Sequence, residues 1–230
     1  MEAAIQLDGP RLAPLAGGKA VSLVILLHGV AAYGNDLIDL GRAWQKLLPQ
    51  TEFVAPDAHL PCDYAPFGRQ WFSLQDRAPD KLLAGLQEAS AVLDRFLDRM
   101  LASHELDDSR LALAGFSQGA ATALYAGLHR QRRIAGIVAF SGALPESALL
   151  PGQIVSKPPV LLVHGTADPV VPFQSMACAK GVLETAGIPV RAMARPGLGH
   201  AIDEAGMTLA GNFLRDVLHS KPSSVGFRGS

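Results

Sequence analysis

Ser117 stands in the pentapeptide GFSQG, residues 115–119, between the apolar run Arg110–Gly115 and the segment AATALYAGL. The G-x-S-x-G spacing puts a serine on a sharp strand-to-helix turn, where flanking glycines let the turn pass close to its neighbours. A serine hydroxyl becomes a useful nucleophile only when a base removes its proton. On sheets of this kind the acid and the histidine follow the serine in sequence. Downstream lie His129, His164, His200 and His219, and the single aspartate between Ser117 and His200 is Asp168, with Glu146 and Glu184 as the glutamates. Asp168 follows the run VLLVH inside HGTADPVVP (164–172), and His200 follows VRAMA inside GLGHAID. Serine, aspartate and histidine thus each fall just past an apolar run, as nucleophilic acyl transfer requires. His129 and His219 read as solvated, and His164 as a structural hydrogen-bonding residue at a strand end.

Acyl transfer also needs donors for a developing oxyanion. The backbone N–H of Gln118 follows the nucleophile and sits at a helix N-terminus, which suits a negative charge. The loop after an early strand supplies the second donor in such sites. Here that loop begins His28-Gly29-Val30, which makes the Val30 N–H the candidate and His28 a prop for the loop. Both donors are main-chain groups, so the sequence predicts that side-chain changes there leave the hole intact.

Short apolar runs alternate with helical patterns along the chain. Val21–Leu27, Glu52–Ala55, Arg110–Gly115, Ile134–Phe140, Val160–Val163 and Val190–Ala194 read as buried strands. Helices are expected over Asp36–Leu48, Pro79–Ala102, Gln118–Leu128, Phe173–Ala186 and Ile202–His219. In the second of these, Leu82, Leu86, Ala89, Leu93, Phe96, Leu97 and Met100 recur at three- and four-residue steps, a core-packing stripe. The segment 3–16 suggests a short hairpin or loose edge. This pattern predicts an α/β fold, a mostly parallel central sheet with helices on both faces. Ligands then sit beyond the C-terminal strand ends, where Ser117, Asp168 and His200 lie. Residues 1–220 read as a single domain and 221–230 as a flexible tail.

Composition removes other classes. Lys plus Arg is 20 and Asp plus Glu is 21, giving a net charge of −1 and no basic run, so no nucleic-acid partner is expected. Cys62 and Cys178 cannot frame a disulfide scaffold, no ligand spacing suggests a metal, and the acyl-transfer chemistry requires no cofactor. The longest apolar run is about a third of a membrane span. Glu2 and Asp8 lie where a signal peptide needs positive charge, which predicts a cytoplasmic protein.

LLHG (26–29), GNDL (34–37), GRQWFSL (68–74), GFSQGA (115–120), FSGALP (140–145), HGTADPVVP (164–172) and GLGH (197–200) occur in this order. The ordered set resembles the carboxylesterase/phospholipase family of the α/β-hydrolases, which includes the acyl-protein thioesterases, over roughly residues 20–218. The resemblance implies an α/β-hydrolase fold without a large cap domain. It also implies Ser117 as nucleophile, His200 as base, Asp168 as orienting acid, and Val30 and Gln118 as oxyanion donors. The chain departs from the family pattern at Ala31 and Ala120, where glycine is common, and at Tyr33, where an acidic residue is common.

Residues 57–78 hold four of the 14 aromatics, Tyr64, Phe67, Trp71 and Phe72, where an even spread would put about one. They form a candidate apolar wall, which Tyr33, Leu144 and Leu198 could complete. The expected substrate is a small-molecule carboxylic ester with a short-to-medium acyl chain. Acyl-protein thioesters and lysophospholipids are the alternatives within the class, and a non-catalytic ligand-binding protein on the same fold is the alternative outside it. Cysteine at the elbow, as in dienelactone hydrolases, is absent, and GLGHAI lacks the last glycine or alanine of a dinucleotide fingerprint. The expected assembly is a monomer or a homodimer.

Overall fold

The computed structural model describes residues 6–144 and 153–219. Its central sheet is built from β1 (Arg11–Leu12), β2 (Ser22–Leu27), β3 (Thr51–Val54), β6 (Leu111–Phe116), β7 (Gly136–Phe140), β8 (Val160–Gly165) and β9 (Val190–Arg195). The strand order is β1-β3-β2-β6-β7-β8-β9. All neighbours pair in parallel except β1, which runs antiparallel to β3 at one edge. The loose N-terminal edge expected from sequence is this two-residue strand. A separate two-stranded ladder, β4 (Leu60–Pro61) with β5 (Arg69–Gln70), folds the aromatic-rich segment that read as loop.

The continuous apolar runs of β2, β6, β7 and β8 are explained by burial on both faces, whereas Val190–Ala194, expected to be buried, forms part of the edge strand β9 and has no buried residue. Leu23, Ile25 and Leu27 of β2 join one core, together with Leu113, Ile137 and Leu162. Val24 and Leu26 join the other, together with Ala114, Val138 and Val163. The two-residue strand period therefore feeds two cores at once, and neither face can carry a polar residue cheaply. The first core is roofed by α2 (Pro79–His104), α3 (Gln118–His129) and α4 (Gln174–Thr185), the second by α1 (Ile38–Trp44) and α5 (Glu204–His219). Each fully buried Leu or Phe contributes about 1.5–3 kcal/mol relative to exposure.

Helix α3 is buried along its whole length from Gln118 to Leu128, because it lies between the sheet and α2. Its run of alanines and glycines permits that close approach. Helix α1 is shorter than expected at both ends: a 3-10 turn over Gly34–Asp36 precedes it, and it stops at Trp44, before the expected Leu48. The tail expected at 221–230 and Pro145 of the FSGALP motif lie outside the described residues.

Candidate active site

Ser117 joins β6 to α3 with φ 55 and ψ −118, a backbone conformation that costs a non-glycine residue energy and is stored at such turns. Its N–H donates to the Phe140 carbonyl at 2.9 Å, extending the β6–β7 ladder to the elbow. Its carbonyl accepts from the Ala120 and Ala121 amides, starting α3. The turn closes only because Gly119 has no side chain: a Cβ there would stand 1.9 Å from the Leu27 carbonyl oxygen.

Asp168 and His200 come from loops that are stitched together. The Ala167 N–H donates to the Leu198 carbonyl at 3.0 Å and the Gly197 N–H to Thr166 Oγ1 at 2.9 Å. Gly165 allows this, since a Cβ there would lie 2.2 Å from Leu198 O. His200 Nδ1 lies 2.8 Å from Asp168 Oδ2, and the Val170 and Val171 amides each donate to Oδ1 at 2.9 Å. The aspartate side chain is fully buried. Burial pushes its carboxyl up, but the His200 bond and the Val171 and Val170 amides outweigh that effect and hold it below the usual carboxylate range. An ionised Asp168 fixes the Nδ1–H tautomer of His200, which leaves Nε2 as the basic nitrogen. The His200 ring packs on Phe116, the residue before Ser117, with centroids 4.7 Å apart.

His164, at the end of β8, points its Nε2 at the Val171 carbonyl (3.0 Å) and lies 3.3 Å from Asp168 Oδ2. Sequence reading placed it correctly as a strand-end hydrogen-bonder. Its contact with the acid had no sequence signal, because it depends on how the turn at 168–171 folds back.

The two candidate oxyanion donors sit where the elbow meets the loop after β2. Helix geometry leaves first-turn amides such as Gln118 N–H without an intrahelical acceptor. Ala31 N–H is committed to Arg69 O at 2.9 Å, and Val30 lies just before it in the turn. His28 supports this loop from below. Its Nε2 accepts from Ala58 N–H at 3.0 Å and its Nδ1 lies 2.7 Å from Gly29 O, which together define a neutral ring. Burial pushes this imidazole below its ordinary value, against the Gly29 bond.

The side chain of Gln118 has a role that the sequence did not show. Its Oε1 accepts from Trp71 N–H at 2.8 Å and its Nε2 donates to Phe72 O at 2.7 Å. Trp71 Nε1–H in turn donates to His28 O at 2.9 Å. Elbow, aromatic segment and the loop carrying Val30 are therefore one braced unit.

This brace corrects the expected substrate wall. Trp71 is fully buried and Phe72 nearly so, and both pack in the core beside α2. Tyr64, Phe67 and Tyr33 are exposed, Leu144 is half-buried against that core, and Leu198 is half-buried beside His200 in sequence. Tyr33 Oη accepts from Gly68 N–H at 2.9 Å, so it anchors the aromatic segment. The other departures from the family pattern also have structural counterparts. Ala31 has φ 60, a value glycine adopts more readily. The Ala120 methyl fits because its neighbour is Gly142, where a Cβ would meet it at 2.7 Å.

A cavity of about 400 Å³ opens beside His200 on the α1 and α5 side. Leu37, Leu40, Phe116, Ile202 and Met207 line it, and Asp36 and Asp39 belong to its wall.

A family model described as phospholipase/carboxylesterase matches residues 15–218. The chain belongs to this family. Among its relatives, an acyl-protein thioesterase 1 of Neurospora crassa is 29% identical over 209 residues, covering 84% of each chain. The esterase YpfH of Escherichia coli K12 is 30% identical over 199 residues, covering 85% of this chain and 83% of its own. The crystal structure of esterase PE8 matches with a TM-score of 0.88 at 42% identity, over 93% of this chain and 100% of that one. Arabidopsis thaliana SOBER1, at 22% identity and a TM-score of 0.72 over 86% of this chain and 99% of its own, shares the fold. Phospholipase/carboxylesterase membership thus agrees with the α/β fold and with the order of motifs read from the sequence.

Proposed function

We propose that the protein hydrolyses short-to-medium-chain carboxylic esters through an acyl-enzyme on Ser117. It is a hydrolase acting on carboxylic ester bonds. The 2.8 Å pair between a buried, ionised Asp168 and His200 Nδ1 is the observation that carries the residue assignment. Ser117 Oγ attacks the ester carbonyl as His200 Nε2 takes its proton. The negative charge moves to the carbonyl oxygen, where the Val30 and Gln118 N–H groups meet it, each worth on the order of 3 kcal/mol. The C–O bond to the alcohol then breaks, and His200 returns the proton to the departing oxygen. Water repeats the sequence on the acyl-enzyme and regenerates Ser117. Asp168 stabilises the imidazolium without taking the proton.

The exposed Tyr33 and Phe67, with Leu144 and Leu198, are the side chains proposed to meet the substrate. The thioester reading is the second one, supported by the name of the Neurospora relative. Both cysteines are free, and among the described residues no helix is long and apolar enough to cross a membrane. We place the protein in the cytoplasm, as a monomer or homodimer. The test is Ser117→Ala assayed on matched oxygen esters and thioesters of increasing acyl length. Loss of all turnover supports the reading, and a variant retaining near-parental ester hydrolysis overturns it.

A further inference from the structure

Resting on the serine-esterase reading, we propose that the cavity beside His200 is the leaving-group subsite, and that it selects esters of compact apolar alcohols and rejects anionic ones. The reacting geometry fixes which part of the ester must lie there. His200 takes the proton from Ser117 and then delivers it to the alcohol oxygen, so that oxygen must come within hydrogen-bond reach of the imidazole. The carbonyl oxygen is drawn to the amides at the elbow. The alcohol's carbon skeleton is left to extend past the histidine, and the wall it meets contains His200 itself.

The wall is apolar and held in place from both sides. Leu40 comes from α1 and Met207 from α5, and Trp44 Nε1–H of α1 donates to the Met207 carbonyl at 2.9 Å, tying the two helices. Phe116 forms part of the floor and also packs on the His200 ring, so a ligand there touches the same side chain that supports the base. A volume of about 400 Å³ is at the small end of the range for ligand cavities, which suits a compact ring or branched group.

The wall is also acidic. Asp36 and Asp39 are exposed, and Asp36 is fixed by accepting from Tyr33 N–H at 2.7 Å. Arg42 Nε pairs with Asp39 at 2.8 Å, so these three side chains carry one net negative charge. Neutral and cationic alcohols are tolerated there, and a sulfonate or phosphate on the alcohol is repelled.

The experiment compares butyrate esters of methanol, cyclohexylmethanol, neohexanol, choline and isethionate, each kcat/KM divided by the hydroxide rate to remove leaving-group chemistry. The cyclohexylmethyl ester should exceed the methyl ester by about tenfold or more, the value for burying about two of its methylenes. Choline, isosteric with neohexanol but cationic, should match or exceed it. Isethionate should fall about fivefold or more below neohexanol at low salt, a gap that narrows as salt rises. Leu40→Trp, which narrows the cavity, should lower the cyclohexylmethyl-to-methyl ratio by about fivefold or more. On the parental enzyme, cyclohexylmethanol should also capture the acyl group in competition with water more efficiently than methanol, since the reverse step uses the same subsite. Equal normalised rates across the neutral series, or equal capture by the two alcohols, overturn the subsite. Isethionate cleaved as well as neohexanol overturns its charge selection. A flat alcohol series with Ser117-dependent turnover defeats the subsite alone, whereas turnover surviving Ser117→Ala defeats the esterase assignment beneath it.

Discussion

Replacing Gln118 by methionine removes both side-chain hydrogen bonds of the brace at nearly constant volume. Trp71 N–H and Phe72 O then lose their partners at positions that are almost fully buried. A buried main-chain group left unpaired costs about 1–3 kcal/mol, so Gln118→Met, which strands two, should lose about 2–6 kcal/mol. Domains of this size have about 5–15 kcal/mol to lose, so the change is a large fraction of the total and well within reach of urea unfolding. The catalytic effect follows from the next link in the brace. Trp71 also donates to His28 O, and His28 leads directly into Gly29 and Val30. A released Trp71 lets the Val30 amide drift, and losing one oxyanion donor outright costs about 10²–10³ in kcat. Partial displacement should lower kcat about ten- to hundredfold with a smaller change in KM. Urea unfolding gives the first quantity and steady-state kinetics the second. An alkyl boronate, which mimics the tetrahedral intermediate, should weaken in parallel with kcat/KM. A variant with stability within about 0.5 kcal/mol of the parent and kcat within twofold would refute the brace.

Three further outcomes follow from other parts of the fold. Arg130 is held by Asp94, Asp98 and the buried Asp108, and Arg130→Met leaves Asp108 only the exposed Arg132 at 3.7 Å, so unfolding free energy should drop by about 3 kcal/mol while kcat of the folded protein is retained. Gly165→Ala forces the loop carrying Leu198 away from β8, and kcat should fall on the order of a hundredfold as His200 is misplaced, measurable with any ester substrate. Burial pushes the histidines His28 and His59 below their ordinary value of 6.5. The unfolded chain therefore binds more protons as pH falls through that range. Their contribution to stability is complete above pH 6.5 and declines below it, by at most about 1.4 kcal/mol per pH unit for each histidine. Urea midpoints that stay constant from about pH 7 to pH 5 would contradict this linkage.

The candidate order of serine, aspartate and histidine was legible because each follows an apolar run; the runs before Ser117 and Asp168 are buried on both faces, whereas the one before His200 is the edge strand β9, with no buried residue. Ser117, Asp168 and His200 could be ranked without coordinates. Strand β4 with β5 was not legible, since Leu60–Pro61 and Arg69–Gln70 are too short to show a period and one of them contains proline. The count of aromatics between residues 57 and 78 revealed a cluster but not its direction. Trp71 turned inward because its indole and amide N–H groups both find acceptors there, His28 O and Gln118 Oε1. The same fact hid the role of the Gln118 side chain, whose partners lie 46 and 47 residues away. The cavity beside His200 was equally invisible, as Leu40, Phe116 and Met207 come from three separate elements.

The most direct test of the account is to trap the acyl-enzyme. Mixing the protein with excess p-nitrophenyl butyrate, quenching in acid and mapping peptides by mass should find one butyryl group on Ser117. Asp168→Asn should form it on the order of 10³–10⁴-fold more slowly. A butyryl group on another residue, or steady turnover with no covalent adduct and with Ser117→Ala still active, would contradict the central claim.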